Sequence, residues 1–315
     1  MPEANPTQDR AVIIGESLVD LIKYEGTDQV PVGHPGGSPY NVALTLGRLG
    51  QSVNLVTALA DDDHGLQVLR HLHESGVRLG AGSYALDRTS TALAQIDSSG
   101  SASYIFDFSW VLPAEVPIPP TAAFVHAGSI STATEPGAGI VLETLRRARN
   151  QALITYDPNV RPTLTPDRDQ VRARVEEFAA CADLIKVSDE DLAWLYPGAS
   201  LDEVVRAWFE LSPAQLVVVT CGGDGPTAWL RSGGKVSSPP QPVTVVDTVG
   251  AGDSFMGGLI DALWRRGLTF RAGADRLGHL DEAAVKDLLD EAGAVAAITV
   301  SRAGANPPWL AELKR

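Results

Sequence analysis

Residues 244–264 read Thr-Val-Val-Asp-Thr-Val-Gly-Ala-Gly-Asp-Ser-Phe-Met-Gly-Gly-Leu-Ile-Asp-Ala-Leu-Trp and concentrate groups that could do chemistry. An apolar extended run, 243–246, ends at Asp247, and the small residues Gly250, Ala251 and Gly252 follow. Beyond them Phe255, Leu259, Ile260, Leu263 and Trp264 recur at helical spacing, so the small-residue turn lies where a helix begins. Unpaired backbone N–H groups and the positive end of the helix dipole favour an anion there. Glycines let a phosphate approach that backbone closely. Asp253 comes next, in the first turn. An anion cradle beside a carboxylate suits transfer of a phosphoryl group to a hydroxyl, with Asp253 taking the hydroxyl proton. The plainer alternative is a glycine turn with an ordinary acid at a helix start, where Asp is favoured anyway.

A second glycine motif, Gly36-Gly37-Ser38-Pro39-Tyr40-Asn41, precedes another helix pattern with Val42, Leu46 and Leu49 as its apolar stripe. Ser38 is the expected N-cap, Pro39 the first helical residue and Gly50 the stop. Asn41 places a polar amide in the first turn. It either caps locally or holds a ligand hydroxyl at the helix mouth.

Together these segments resemble the ribokinase/phosphofructokinase-B family of sugar kinases. Further segments agree: Gly15-Glu-Ser-Leu-Val-Asp20, Asp157-Pro-Asn159-Val-Arg161-Pro, Asp183-Leu-Ile-Lys186-Val-Ser-Asp-Glu-Asp191, Thr220-Cys-Gly222-Gly-Asp-Gly225 and Thr299-Val-Ser-Arg302-Ala-Gly304-Ala. The resemblance runs from about residue 11 to about residue 308 and is greatest to bacterial fructokinases. It implies a ribokinase-like α/β fold: a doubly wound, mostly parallel sheet with helices on both faces, plus a small β-sheet lid.

The resemblance also implies roles. Gly250, Ala251 and Gly252 would offer N–H donors to the γ-phosphate of ATP, and Asp253 would be the base. Thr220, Gly222 and Gly225 would wrap the nucleotide phosphates, with Lys186 neutralising charge. Asp20, Gly36, Gly37 and Asn41 would hold the sugar. Arg161 could reach a substrate carboxylate or phosphate with its bidentate fork. Ser188 and Asp191 occupy the places of the family motif that organises the magnesium water shell, but both differ in type. Glu190 is the neighbouring candidate. Asp247 would belong to a monovalent-cation site, which makes potassium activation an open expectation. Fructokinases usually carry an Arg after the aromatic residues of the second lid strand. This chain has Asp107 between Phe106 and Phe108, so a phosphorylated sugar should be repelled. The resemblance leaves open 2-keto-3-deoxygluconate or another family sugar as substrate, a catalytically silent sugar-binding protein, and a homodimer through the lid.

Elements able to position these residues alternate along the chain. Buried strands are expected at 11–15, 53–59, 123–127, 153–157, 184–187 and 216–220, and helices at about 38–49, 63–75, 136–149, 167–181, 201–211, 252–266 and 281–298. That alternation implies a parallel sheet covered on both faces. Two segments, 19–33 and 91–110, lack an intervening helix. The second reads as a hairpin turning at 98–101. They form either the lid or extra edge strands of the main sheet. Residues 1–10 read as a disordered tail and 11–315 as the kinase domain.

Composition excludes several classes. A net charge of −14 argues against nucleic acid and anionic membranes as partners. No apolar run approaches the roughly 18 residues of a membrane span. Two cysteines, Cys181 and Cys221, suggest no disulfide framework and fit a reducing, cytoplasmic setting. No Gly-x-x-x-x-Gly-Lys-Ser/Thr loop occurs, so the chain is not a P-loop kinase. ATP, Mg2+ and a small sugar are the expected ligands.

Overall fold

Residues 8–24, 31–80, 82–83, 85–96 and 102–313 are described in this computed structural model. Their elements follow the expected alternation. β1 (Arg10–Ile14) leads to β2 (Leu18–Tyr24), β3 (Val32–Gly36), α1 (Ser38–Arg48), β4 (Val53–Val56), α2 (Asp63–Glu74) and β5 (Val77–Leu79). Next come β6 (Thr91–Ile96), β7 (Ala102–Asp107), β8 (Ala122–Gly128), α3 (Gly137–Ala148), β9 (Leu153–Asp157), α4 (Arg168–Ala179) and β10 (Leu184–Ser188). Then follow α5 (Asp189–Leu195), α6 (Leu201–Leu211), β11 (Leu216–Thr220), β12 (Pro226–Leu230), β13 (Lys235–Ser237), α7 (Ala251–Arg265), α8 (Phe270–Leu277) and α9 (Glu282–Val300). Of the tail expected at 1–10, positions 1–7 lie outside the described residues, and Arg10 already belongs to β1.

The main sheet has nine strands in the order β13-β12-β11-β10-β9-β8-β1-β4-β5. It is parallel from β11 to β5, while β12 and β13 add antiparallel at one edge. Successive strand residues feed opposite cores, as the pleat requires. Phe124, Leu153, Leu184 and Val218 join the core that contains Leu44 of α1, Leu259 of α7 and Leu288 of α9. Their neighbours Val125, Ile154, Ile185 and Val219 join the core that contains Val141 of α3, Val175 of α4 and Trp208 of α6. The chain builds outward from β1 in one direction through β4 and in the other through β8. The boundary between β1 and β8 is therefore the point where strand order reverses, and crevices of this kind bind ligands at the carboxyl ends of the strands.

The small sheet is separate, with four strands in the order β3-β2-β6-β7. β2 pairs parallel with β6, and antiparallel partners flank both. Among the described residues, the main sheet thus gains no extra edge strands from these segments. The expected turn at 98–101 and part of the 19–33 segment, residues 25–30, lie outside the described residues. Register decides the faces. Asp20 lies opposite His34 and Ala92, and Ala92 opposite Phe106. Asp107 lies opposite Thr91, which pairs with Val19. Asp20 and Asp107 therefore point to opposite faces of the small sheet.

The run 243–246 is not a strand of either sheet. Val245 and Val246 are 58% and 62% exposed, and the backbone N–H groups of Val246 and Asp247 both reach the carbonyl of Val300 at the end of α9.

Candidate active site

The first turns of α1 and α7 meet each other and the loop after β9. Asp253, in the first turn of α7, is almost fully buried. Its Oδ1 accepts from Ser38 Oγ at 2.6 Å and from Asn159 Nδ2 at 3.3 Å. Its Oδ2 accepts from Asn41 Nδ2 at 2.8 Å. Donors from α1 and from the loop after β9 thus fix the carboxylate.

Ser38 is not the N-cap expected of it. Gly37 takes that position with φ 116°, in the left-handed range, and a Cβ there would lie 2.5 Å from the carbonyl oxygen of Glu16. Ser38 becomes the first helical residue, and its hydroxyl is free to reach Asp253. Asn41 does not cap locally either. Its amide nitrogen serves Asp253, and its buried Oδ1 has no hydrogen-bond partner among the described residues.

Gly250 caps α7 with φ 75°, and a Cβ there would meet Ala305 Cβ at 2.6 Å. Ala251 donates its N–H to Thr248 O at 3.2 Å, so one of the three donors expected for the anion is already used to close the turn. The N–H groups of Gly252 and Asp253 lie in the first turn, where no preceding helical carbonyl can reach them. The charge that faces them is Lys186: a Cβ on Gly252 would stand 2.7 Å from its Nζ.

Lys186 Nζ is 2.9 Å from Asp157 Oδ2, and both side chains are buried. Burial alone would lower the lysine's pKa, but Asp157, Asp253 and Asp191 outweigh it and hold the ammonium above its ordinary range. Burial raises the Asp157 carboxyl above the usual carboxylate range, with Lys186 pulling the other way. Asp157 Oδ1 is buried without a hydrogen-bond partner among the described residues.

Of the two magnesium candidates, Asp191 is buried in the first turn of α5 and accepts from the Val160 N–H at 3.0 Å, while Glu190 is exposed. Ser188 is the N-cap of α5, its Oγ accepting from the Asp191 N–H. The described residues contain no group of three or more His, Cys, Asp or Glu side chains able to cage a metal. Magnesium is commonly held by one or two carboxylates with phosphate and water. The unpartnered buried oxygen of Asp157 and the nearby Asp191 fit that sparser donor set.

The remaining expected residues occupy other elements. Asp20 stands against Gly36, where a Cβ would come 2.5 Å from its Oδ2. Thr220 closes β11. The loop after it, with Gly222 at φ 46°, has open space where a side chain on Gly222 or Gly223 would project. Gly225, at φ 84°, packs its Cα against Ser238 O, which a Cβ would approach to 2.4 Å. Asp247 accepts from the N–H groups of Val249 and Gly304, which hold its carboxyl below the usual range. Arg161 directs Nη1 to Asn159 Oδ1 at 2.6 Å and to the carbonyls of Asn159 and Val160. Asp107 pairs with Arg88 at 2.6 Å on the exposed surface of the small sheet. It does not share the face of Asp20, and the Arg88 guanidinium offsets the charge expected to repel a phosphorylated sugar.

The profile for "pfkB family carbohydrate kinase" matches residues 8–312. This chain belongs to the pfkB family of carbohydrate kinases. Across 281 residues it is 31% identical to a fructokinase of Rhizobium leguminosarum bv. trifolii, covering 87% of this chain and 84% of the relative. Its fold is similar to that of a fructokinase with bound ATP from Xylella fastidiosa, with a TM-score of 0.80 and 27% identity over 94% of this chain and 93% of that one. Aminoimidazole riboside kinase from Salmonella enterica, solved with aminoimidazole riboside and an ATP analogue, is also similar, with a TM-score of 0.72 and 25% identity over 94% and 95% of the two chains. In this pfkB kinase three polar residues of the cluster around Asp253 and Lys186 were not expected there from the sequence. The position of Ser38 suggests a cap, and Asp157 and Asn159 lie in the Asp-Pro-Asn segment with no role legible from the sequence alone. Their signal is polar residues at and just beyond the end of a buried strand, but their partners are distant in sequence.

Proposed function

We propose that this kinase transfers the γ-phosphoryl group of ATP to a hydroxyl of a free sugar, fructose being the leading acceptor, with the residues named above as its site. The observation that carries the reading is the convergence of Ser38, Asn41 and Asn159 on Asp253, one residue from the glycine that Lys186 faces. The sugar oxygen attacks the γ-phosphorus, its proton passes to Asp253, and the bond to the bridging oxygen breaks to leave ADP. Lys186 and the N–H groups of Gly252 and Asp253 stabilise the charge on the transferring group. Asp20 and the open Oδ1 of Asn41 orient the acceptor under the small sheet, which serves as a lid. Thr220, Gly222 and Gly225 line the nucleotide phosphates. Magnesium, bound to the phosphates and held through water by Asp191, would offset the negative charge between them. A potassium ion beside Asp247 would organise the loop before α7.

Similarity to fructokinases supports fructose as the acceptor. The rival keto-acid reading depended on Arg161 as a carboxylate partner, and Nη1 of that side chain is engaged with its own loop. A silent sugar-binding protein would not need both a fixed base and a facing ammonium. Free cysteines at 181 and 221 fit a cytoplasmic enzyme, and no helix among the described residues is long and apolar enough to cross a membrane. Exposed Ile22 and Val32, paired on one face of the small sheet, support a homodimer through the lid, which sedimentation would test. The deciding experiment measures ADP release with fructose, ribose, 2-keto-3-deoxygluconate and aminoimidazole riboside, in wild type and Asp253→Asn. Fructose should give the highest kcat/KM, and the variant should lose several orders of magnitude. Activity within about tenfold of wild type, or about 1.4 kcal/mol, would remove Asp253 as the base.

A further inference from the structure

Glu16 is 2% exposed, although nothing in the transfer step requires a carboxylate there. It follows β1, at the strand-order reversal. Its Oε1 accepts from the Ser38 N–H at 3.2 Å, and its Oε2 accepts from the Ser131 N–H at 3.2 Å. Ser38 begins α1, and Ser131 belongs to the short 3-10 turn Ser129–Thr132 that follows β8. One carboxylate therefore spans the gap between β1 and β8 and fastens both sides. The segments around it are in contact: a Cβ on Gly15 would fall 2.2 Å from Pro39 Cγ and 2.8 Å from Ser131 Oγ. Only a side chain with two acceptor oxygens satisfies both N–H groups. An apolar residue would orphan them, and an amide would turn its NH2 against one.

We infer that Glu16 is a positioning residue for phosphoryl transfer: by fastening the first turn of α1 to the turn after β8, it sets where Ser38 and Asn41 hold Asp253. This inference rests on Asp253 as the base. Burial pushes the Glu16 carboxyl up to about 7, against hydrogen bonds from its own backbone, Ser129 and Ser38 and the charge of Arg161. The groups that face it are Ser38 of α1, Ser129 and Ser131 of the turn, and Arg161 of the loop after β9, with the Asp253 carboxylate beyond Ser38. Protonation turns one acceptor oxygen into a hydroxyl and releases one of the two N–H groups. Alignment of the base should therefore weaken as pH falls through neutrality.

The test is kcat against pH from 5.5 to 8.5 at saturating ATP and sugar, for wild type, Glu16→Gln and Asp253→Asn. Wild-type kcat should fall as pH drops through about 7. Glu16→Gln should be slower by about tenfold at pH 8, equivalent to about 1.4 kcal/mol, should lack that fall, and should keep the KM for ATP. A variant that keeps the wild-type fall, or stays within twofold of wild type at pH 8, overturns the inference. If Glu16→Gln does not fold, the wild-type profile decides: level kcat from pH 8 to pH 6 overturns it, and a fall with unchanged KM for ATP supports it. Asp253→Asn separates the two readings, because an active Asp253→Asn enzyme removes the base, whereas an inactive one beside a Glu16→Gln variant that keeps the wild-type pH profile removes only the positioning role.

Discussion

Ser38 Oγ, on the first residue of α1, donates to Asp253 Oδ1, on the third residue of α7, across 2.6 Å. Two helix starts are thereby locked face to face. Hydrogen bonds to charged groups contribute about 1.5–3 kcal/mol, and here that energy orients the carboxylate proposed as the base. Ser38→Ala should lower kcat by about tenfold to a hundredfold with a modest fall in Tm, because one bond to a buried carboxylate is lost while Ala is well tolerated in a first turn. Steady-state kinetics and a thermal melt check both halves.

Asn159 sits at φ 38° while donating to Asp253 and accepting from Arg161. A non-glycine residue in that region costs about 1–2 kcal/mol. Asn159→Gly should therefore melt near the wild-type temperature yet lose activity. Asn159→Ala should lose activity and stability together. Equal activity in the Gly variant and wild type would leave Asn159 as a turn residue only.

Removing the ammonium of Lys186 would strand a buried carboxylate. Lys186→Met should destabilise the fold by about 3–5 kcal/mol at pH 8. In that variant the folded pKa of Asp157 lies above its unfolded value, so the neutral form stabilises the fold. That contribution is present at low pH and is lost as pH rises through the raised pKa. The Tm deficit relative to wild type should thus shrink between pH 8 and pH 5, which melts at both values would show.

The Arg88–Asp107 pair is exposed on both sides and worth little. Asp107→Ala should leave kcat/KM for fructose within about twofold, which is within about 0.5 kcal/mol. Rejection of fructose 6-phosphate should be unchanged as well, since Asp107 and Asp20 occupy opposite faces. Improved turnover of the phosphosugar in Asp107→Ala would show that the charge does reach the substrate.

Much of the architecture was legible because burial and periodicity coincide. β9, β11 and α6 occupy the residues expected for them, since their apolar patterns are uninterrupted. α5 was missed because Ser188 and Asp191 read as a ligand motif, whereas Ser188 caps a short helix. α8 spans only eight residues around Gly273, too few for a clear period. At the site, Asp253 and its glycines were visible from local chemistry. The function of Ser38 was not, because it depends on the backbone angle of Gly37 and on a partner far along the chain.

The parallel pairing of β2 with β6 has a consequence for how this protein is assembled. Each strand belongs to a different excursion, one between β1 and α1 and the other between β5 and β8. Neither hairpin can complete the four-stranded layer alone, and their register, Val19 opposite Thr91, joins residues distant in the chain. Closing so long a loop is entropically slow. The small layer should therefore zip late in folding, after β1, β4 and β5 have brought its two halves side by side. Transplanting it into another scaffold would require moving both excursions together.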